Sequence, residues 1–371
     1  MTAAPTSRYL VGIDLGTTNC AMAYVDTSLP EAERVSRVFP LAQIVAPGEV
    51  DRLPTLPSFV YLPEPAEMDG ALLRLPWSRT NPDFCVGTYA RNCAAKAPAK
   101  VVSSAKSWLC CDGVDRRADI LPFDRAGAPR RISPVAAAQK LLEHMRDAWD
   151  YEMSSGDPDA ALSRQDVYIT VPASFDAVAR ELTMEAASAA GLSVRLLEEP
   201  QAAFYAWLHE QGDTWRDYLA AGDRVLVCDI GGGTTDFSLI EVTDEDGSLG
   251  LARVAVGDHI LLGGDNMDLA LAYGTAERLK RERNLQLDSW QLAALTHQCR
   301  EAKEHLVASS AAPRTLAILG RGRSVIGASI SVELAPAATR AAILDGFFPV
   351  CSFDEAPSAR RKVGLRSRGG G

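Results

Sequence analysis

Apolar and polar positions along the chain keep changing period, and the changes mark the elements. RYLVGIDLG (Arg8–Gly16) alternates with period two and ends in glycine, so it reads as a strand running into a turn. CAMAYVD (Cys20–Asp26) reads as its antiparallel partner, with Gly16-Thr17-Thr18-Asn19 at the tip. Residues 40–131 are rich in proline and loops, with SFVYL as a short strand and SAKSWLCC as a helix. From Pro134 to Tyr151 the spacing becomes helical, entered through Ser133 and Pro134. DVYITV (Asp166–Val171) is a strand stopped by Pro172, and DAVARELTMEAASAAGL is a helix closed by Gly191. SVRLLEEP predicts a strand, QAAFYAWLHEQ a helix, and RVLVCDIGGGTTDFSLIEV two strands around a glycine turn. Helical spacing dominates Asp265–Lys280 and Trp290–Leu306. GRGRS (Gly320–Ser324) reads as a hairpin tip, SVIGASISVEL as a strand, PAATRAAILDGFF as a helix, and the basic, glycine-ended tail as unstructured.

Strands and helices therefore alternate, and one unit occurs twice. VGIDLGTTN (Val11–Asn19) and VCDIGGGTTD (Val227–Asp236) are both strand–glycine turn–strand hairpins with an aspartate at the end of the first strand. One lies in each half, which is the pattern of a duplicated lobe with ligand between the halves.

Such a turn can present backbone N–H groups to an anion, because glycine permits positive φ and lets phosphate oxygens approach the main chain. Thr17, Thr18, Thr234 and Thr235 add hydroxyl donors. Asp14 and Asp229 would repel phosphate, so their presence points to a magnesium ion held partly through water. An ordinary hairpin turn competes with this reading for DLGTTN alone. It competes poorly for DIGGGTTD, since turns rarely need three glycines with flanking acids and threonines. No G-x-x-x-x-G-K-[ST] occurs, and no G-x-G-x-x-G opens a helix, so P-loop and dinucleotide folds are set aside.

Composition narrows the class. The 371 residues are 47% apolar, enough for a sizeable core, and the net charge of −10 argues against a nucleic-acid partner. No run of about 18 apolar residues predicts a membrane span, and the N-terminus does not read as a signal peptide. Eight scattered cysteines suit reduced thiols, so a cytoplasmic protein is expected. His297, Cys299 and His305 are too irregularly spaced for a metal site on one helix face, and Cys110-Cys111 reads as core rather than a redox pair.

GIDLGTTNCAMAY, VYITVPASFDAVARELTMEAASAAGL, LLEEPQAAFYAW, VCDIGGGTTDFSLIEV and CREAKEHL resemble, in order, the nucleotide-binding domain of the 70-kilodalton heat-shock chaperones, members of the actin, hexokinase and chaperone superfamily. The resemblance runs from about Arg8 to about Phe348. It implies an α/β, actin-like ATPase fold: two lobes, each with a central mixed sheet flanked by helices, and nucleotide in the cleft between them. The division it implies is 8–222 for the first lobe (core 8–38 and 132–222, smaller subdomain about 39–131) and 223–355 for the second (core 223–258 and 325–355, helical subdomain about 259–324), then a basic disordered tail at 356–371.

The same resemblance implies the roles. Asp14 and Asp229 hold water-coordinated Mg2+, while Gly16, Thr17, Thr18 and Asn19 cradle the β-phosphate side of ATP or ADP. Lys106 falls on the catalytic lysine beside the γ-phosphate, and Glu199 on the acid that orients water. Gly231, Gly232, Gly233 and Thr234 form the second phosphate loop, joined by Thr235 and completed by Asp236. Pro172 falls on the proline coupling nucleotide state to domain motion, Gly263-Gly264 on the turn before the helical subdomain, and Lys303 on a ribose contact. Glu198 and Glu199 are adjacent, so on a strand only one faces the cleft.

CREAKEHL departs from the family pattern: Arg300 stands where an acid is usual and Glu304 where a base is usual. The two are spaced to pair with each other. After TRAAILDGFF the family's G-G-x-[ST]-R strand, which wraps adenine, does not follow, and neither does a peptide-binding domain. A divergent, truncated member is expected, with nucleotide, co-chaperones and an absent substrate-binding domain as partners. Slow ATP hydrolysis leads. The alternative is a nucleotide-binding interaction module that has lost hydrolysis, and a small-molecule kinase of the superfamily comes third.

Overall fold

The computed structural model describes residues 7–64, 69–111, 113–123, 128–245, 248–258, 260–308, 312–318 and 330–355. It is a mixed α/β structure with several sheets. β1 (Tyr9–Leu15) and β2 (Asn19–Asp26) form the first hairpin, extended by β3 (Arg37–Val38). β4 (Leu41–Ala46) and β5 (Glu49–Leu53) make a separate hairpin, and β6 (Leu56–Pro57) returns to β2. β7 (Val60–Tyr61), β8 (Cys85–Val86) and β9 (Val101–Val102) form a small sheet beside α1 (Thr88–Ala94). Strands of two residues carry almost no periodic signal, and the longer β4 and β5 do not alternate, β4 being buried at four consecutive positions and β5 exposed at four, which is why 40–131 reads as loop in the sequence. Then follow α2 (Ala105–Leu109), α3 (Pro134–Met153), β10 (Asp166–Val171), α4 (Ala177–Ala189), β11 (Val194–Glu198) and α5 (Glu199–Gln211).

The first sheet has six strands in the order β11-β10-β1-β2-β3, with β6 attached to β2. β1 runs parallel to β10 and antiparallel to β2. Strict alternation along β1 buries Tyr9, Val11, Ile13 and Leu15 and turns Asp14 to the other face. The buried face shares one apolar cluster with Leu142, Met145 and Trp149 of α3 and Leu182 and Ala186 of α4. Trp149 has rings of Tyr9, Tyr24 and Phe39 around it at 5.1–5.3 Å and donates from Nε1 to the Ala160 carbonyl. Ser133 caps α3 by accepting from the Ala136 amide, and Gly191 at φ 77° follows the end of α4.

The second half holds an antiparallel meander of β12 (Arg224–Ile230), β13 (Thr235–Glu245) and β14 (Ser248–Val256). One face packs on α5, where Phe204 meets Ile240 and Val242; the other leaves Leu226, Ile230 and Phe237 exposed. α6 (Gly264–Arg283) and α7 (Ser289–Ala308) come next, then β15 (Arg314–Ile318), β16 (Ile330–Leu334) and α8 (Pro336–Phe347). In the described part of 325–355, Val332, Leu334 and Ile343 share a buried cluster with Leu295, Cys299 and Leu306. β15 was not foreseen, and it pairs with β16. The expected turn at 320–324, the first part of the 324–334 strand and the 356–371 tail lie outside the described residues. Among the described residues, no helix is long and apolar enough to cross a membrane.

Candidate active site

Both hairpins border one cavity of about 500 Å³, lined by Asp14, Gly16, Thr17, Thr18, Asn19, Lys106, Thr170, Glu199, Ala202, Ala203, Asp229, Gly231, Gly232 and Thr234. The topology explains the convergence. Asp14 and Asp229 are the penultimate residues of β1 and β12, so each aspartate stands beside its own glycine turn. In register with Asp14 on β10 is Thr170, whose hydroxyl donates to Asp14 Oδ1 at 3.1 Å. Strand β11 ends at Glu198, two residues earlier than the sequence suggests, and Glu199 is the first residue of α5. That break between strand and helix, rather than strand alternation, separates the two glutamates.

Lys106 and Glu199 form an ion pair inside the cavity, with side chains 11% and 16% exposed. Burial opposes the Lys106 ammonium, but Glu199 and Asp14 outweigh it and raise its pKa. The Glu199 carboxyl is also raised: burial is the main cause, Lys106 counteracts it, and Asp229 and Asp14 add to it. Asp229 is raised chiefly by burial, with Lys106 opposing and Asp236 reinforcing. Three carboxylates around one ammonium leave an excess of two negative charges when all are ionised. Hard oxygen donors with that excess fit a divalent cation. Among the described residues no group of three or more His, Cys, Asp or Glu closes around an ion, so one held here would keep several waters, as magnesium does.

The glycines of the second turn do not adopt the positive φ expected for them. They are required for space. A Cβ on Gly232 would overlap the Thr18 hydroxyl, and one on Gly233 would lie 2.8 Å from Thr17 Cγ2 and overlap the Ser107 hydroxyl. The two hairpins touch at these residues, and any side chain there would hold them apart.

Other expected residues support the wall without lining it. Gly263 packs on the second turn, where a Cβ would sit 2.6 Å from the Gly231 carbonyl oxygen. The amides of Gly264 and Asp265 donate to the carbonyls of Gly231 and Gly232 at 3.0 and 2.7 Å, so the N-terminus of α6 is spent on the turn. Thr235 donates to the Leu262 carbonyl at 2.8 Å, and buried Asp236 accepts from Ser174. Lys303 lies at 2.7 Å from Asp268 and donates to the Gly264 carbonyl at 2.9 Å. Arg300 does not pair with Glu304, which is exposed; it pairs with Asp265 and with Asp268, and its guanidinium lies 5.5 Å from the Phe59 ring centroid. Asp265 also accepts from Ser104, which sits at φ 54° just before α2 and its Lys106.

Sequence reasoning missed Ser58, Thr170, Ala202 and Ala203. Ser58 donates to the Gly16 carbonyl at 2.6 Å, shares a hydrogen bond with buried Cys20, and gives its amide to the Thr18 carbonyl, so it props the first turn. No local pattern marks it. Thr170 was visible as the polar position facing away from buried Val167, Ile169 and Val171.

A profile for the family described as Hsp70 protein matches residues 79–333. The chaperone protein HscA homolog of Bordetella pertussis is 33% identical over 280 residues, covering 72% of this chain and 37% of that protein. Chaperone protein HscA of Enterobacter sp. (strain 638) is likewise 33% identical over 280 residues, covering 73% and 38%. The chain belongs to the Hsp70 family, and what it carries is a nucleotide-binding domain of that family. It spans a little over a third of the length of these curated relatives.

Proposed function

We propose that the chain binds ATP with magnesium in this cavity and hydrolyses it slowly, in the two-lobed, actin-like arrangement its family implies, with residues 8–222 and 223–355 flanking the nucleotide. The observation that carries this is the meeting of Asp14, Asp229 and the Lys106–Glu199 pair around one cavity between two glycine hairpins. Thr17, Thr18, Asn19, Gly231, Gly232 and Thr234 would donate to phosphate oxygens. Asp14 and Asp229 would hold magnesium, which when bound neutralises phosphate charge. Lys106 would stabilise charge on the transferring phosphoryl group, and Glu199 would orient the attacking water. Partners beyond nucleotide, namely co-chaperones and a substrate-binding segment, are proposed on family grounds.

A second reading, nucleotide binding without hydrolysis, is favoured by the same ion pair, since Lys106 and Glu199 satisfy each other in this state. Single-turnover kinetics separates the two. Lys106→Ala is expected to lower hydrolysis by roughly 10²-fold while nucleotide affinity stays nearly unchanged, because this charge matters most as it redistributes in the transition state. Hydrolysis at the parent rate in that variant removes the assignment, and absence of hydrolysis in the parent selects the second reading.

A further inference from the structure

We propose that Glu198 is a positioning residue for Glu199, acting through a three-way ion clamp that joins the two halves of the chain. Glu198 ends β11 in the first sheet, and its side chain is 15% exposed. Its Oε1 accepts from Arg180 of α4 at 2.9 Å and also from Arg253 of β14. Arg180 belongs to the layer packed on the first sheet, whereas Arg253 belongs to the meander that carries Asp229. One carboxylate oxygen thus ties together elements that bear the two hairpins.

The second oxygen, Oε2, is buried and accepts from no donor among the described residues. A half-satisfied buried carboxylate is costly, and such features concentrate at functional sites. No core requirement explains an acid here. What the position has is adjacency: the next residue is Glu199, which opens α5 and is followed by Pro200 in the first turn. Fixing the carboxylate of Glu198 fixes the chain direction at the break between β11 and α5, and that direction decides whether Glu199 reaches Lys106. Because Arg253 moves with β14, any shift of the meander relative to the first sheet pulls on Glu198 and hence on Glu199. The Arg180 contact holds the strand end in place against that pull.

The inference rests on the proposed role of Glu199, and the test distinguishes the two. Glu198→Gln and Arg253→Gln are made in this chain, alone and combined with Glu199→Gln, and each is measured for nucleotide affinity, single-turnover ATP hydrolysis and amide hydrogen exchange over residues 196–203. Misplacing a positioned group by about 1 Å can cost up to roughly 100-fold in rate. The expected result is a 10- to 100-fold slower hydrolysis in each single variant, unchanged nucleotide affinity, faster exchange over 196–203, and no further loss when Glu198→Gln is added to Glu199→Gln. Parent-like hydrolysis or unchanged exchange in both clamp variants overturns the clamp. A further loss in the Glu199→Gln background, equal to that in the parent, shows a structural role unconnected with Glu199 and also overturns it. Parent-rate hydrolysis by Glu199→Gln alone is the separate signature that the role of Glu199 was misassigned, which leaves Glu198 nothing to position.

Discussion

Gly232 and Thr18 stand so close that the glycine has no room for a methyl group: a Cβ would overlap Thr18 Oγ1 and lie 3.1 Å from Thr18 Cβ. The contact joins the two phosphate-loop candidates directly. Gly232→Ala is expected to destabilise the fold by about 1–3 kcal/mol, the usual range for overpacking. Thr18→Ala removes the overlapping hydroxyl and should recover part of that loss in the double variant. Urea denaturation of the four proteins checks this, and simple addition of the two single effects would show that the hairpins do not meet here.

Asp14 and Asp229 face the cavity from the two hairpins, so cation dependence should depend on both. The double variant Asp14→Asn/Asp229→Asn is expected to bind ATP about 10- to 100-fold more weakly in magnesium, in line with losses seen for groups that hold a metal through its waters. In excess chelator the parent and the variant should converge. Calorimetric titration reads both quantities, and ATP binding by the parent that is indifferent to chelator is the contrary outcome.

The raised Asp229 carboxyl gives a signed pH effect. With its folded pKa above its unfolded value of about 4, the folded chain retains a proton that the unfolded chain has released. The stability this group contributes is complete below about pH 4 and is lost as pH rises through the raised folded value. Asp229→Asn cannot ionise, so its stability relative to the parent should grow as pH increases from 4 to 7. Thermal unfolding across that range measures the difference. A difference that stays flat or shrinks contradicts the burial that raises this group.

Arg300 sits 12% exposed between Asp265 and Asp268, and the Asp268 side chain is 1% exposed. Removing one partner of a buried ion network leaves charge uncompensated, so Arg300→Ala should cost about 3 kcal/mol. Glu304→Ala, at an exposed position, should change stability by less than about 0.5 kcal/mol. Equal effects in chemical denaturation would restore the pairing along one helix that the i,i+4 spacing suggests.

How much was legible in the sequence follows from the range of the signal. The long helices α3, α4, α6 and α7 and the strands β1, β10 and β12 repeat their period often enough to declare themselves, and the glycine motifs placed Asp14 and Asp229 correctly at strand ends. The Lys106–Glu199 pair joins residues 93 apart, and only family resemblance suggested their proximity. Arg300 shows the limit of local rules: spacing offered Glu304, whereas packing of α7 on α6 supplied Asp265 and Asp268. Ser58 props the first turn from a segment whose paired strand is two residues long, too short for any periodicity. The positive φ expected at the second turn is not adopted, and Gly232 and Gly233 answer to the neighbouring hairpin, a contact no local pattern announces.

Strand β1 has consequences in time as well as space. Its β2 neighbour is available as soon as residue 26 is made, but its β10 neighbour is not: Leu10 pairs with Asp166, and the Tyr9 amide donates to the Gln165 side chain just before that strand, 156 residues downstream. At roughly 5–20 residues per second of synthesis, the interval is on the order of 10 s. For that interval the first hairpin is a two-stranded ribbon, a structure only marginally stable in water. Its Val11, Ile13 and Leu15 wait uncovered until α3 and β10 emerge. The completion of the first sheet is therefore set by the order in which the ribosome delivers its strands, and a pause between residues 26 and 166 should prolong the period in which the nascent chain is prone to aggregate.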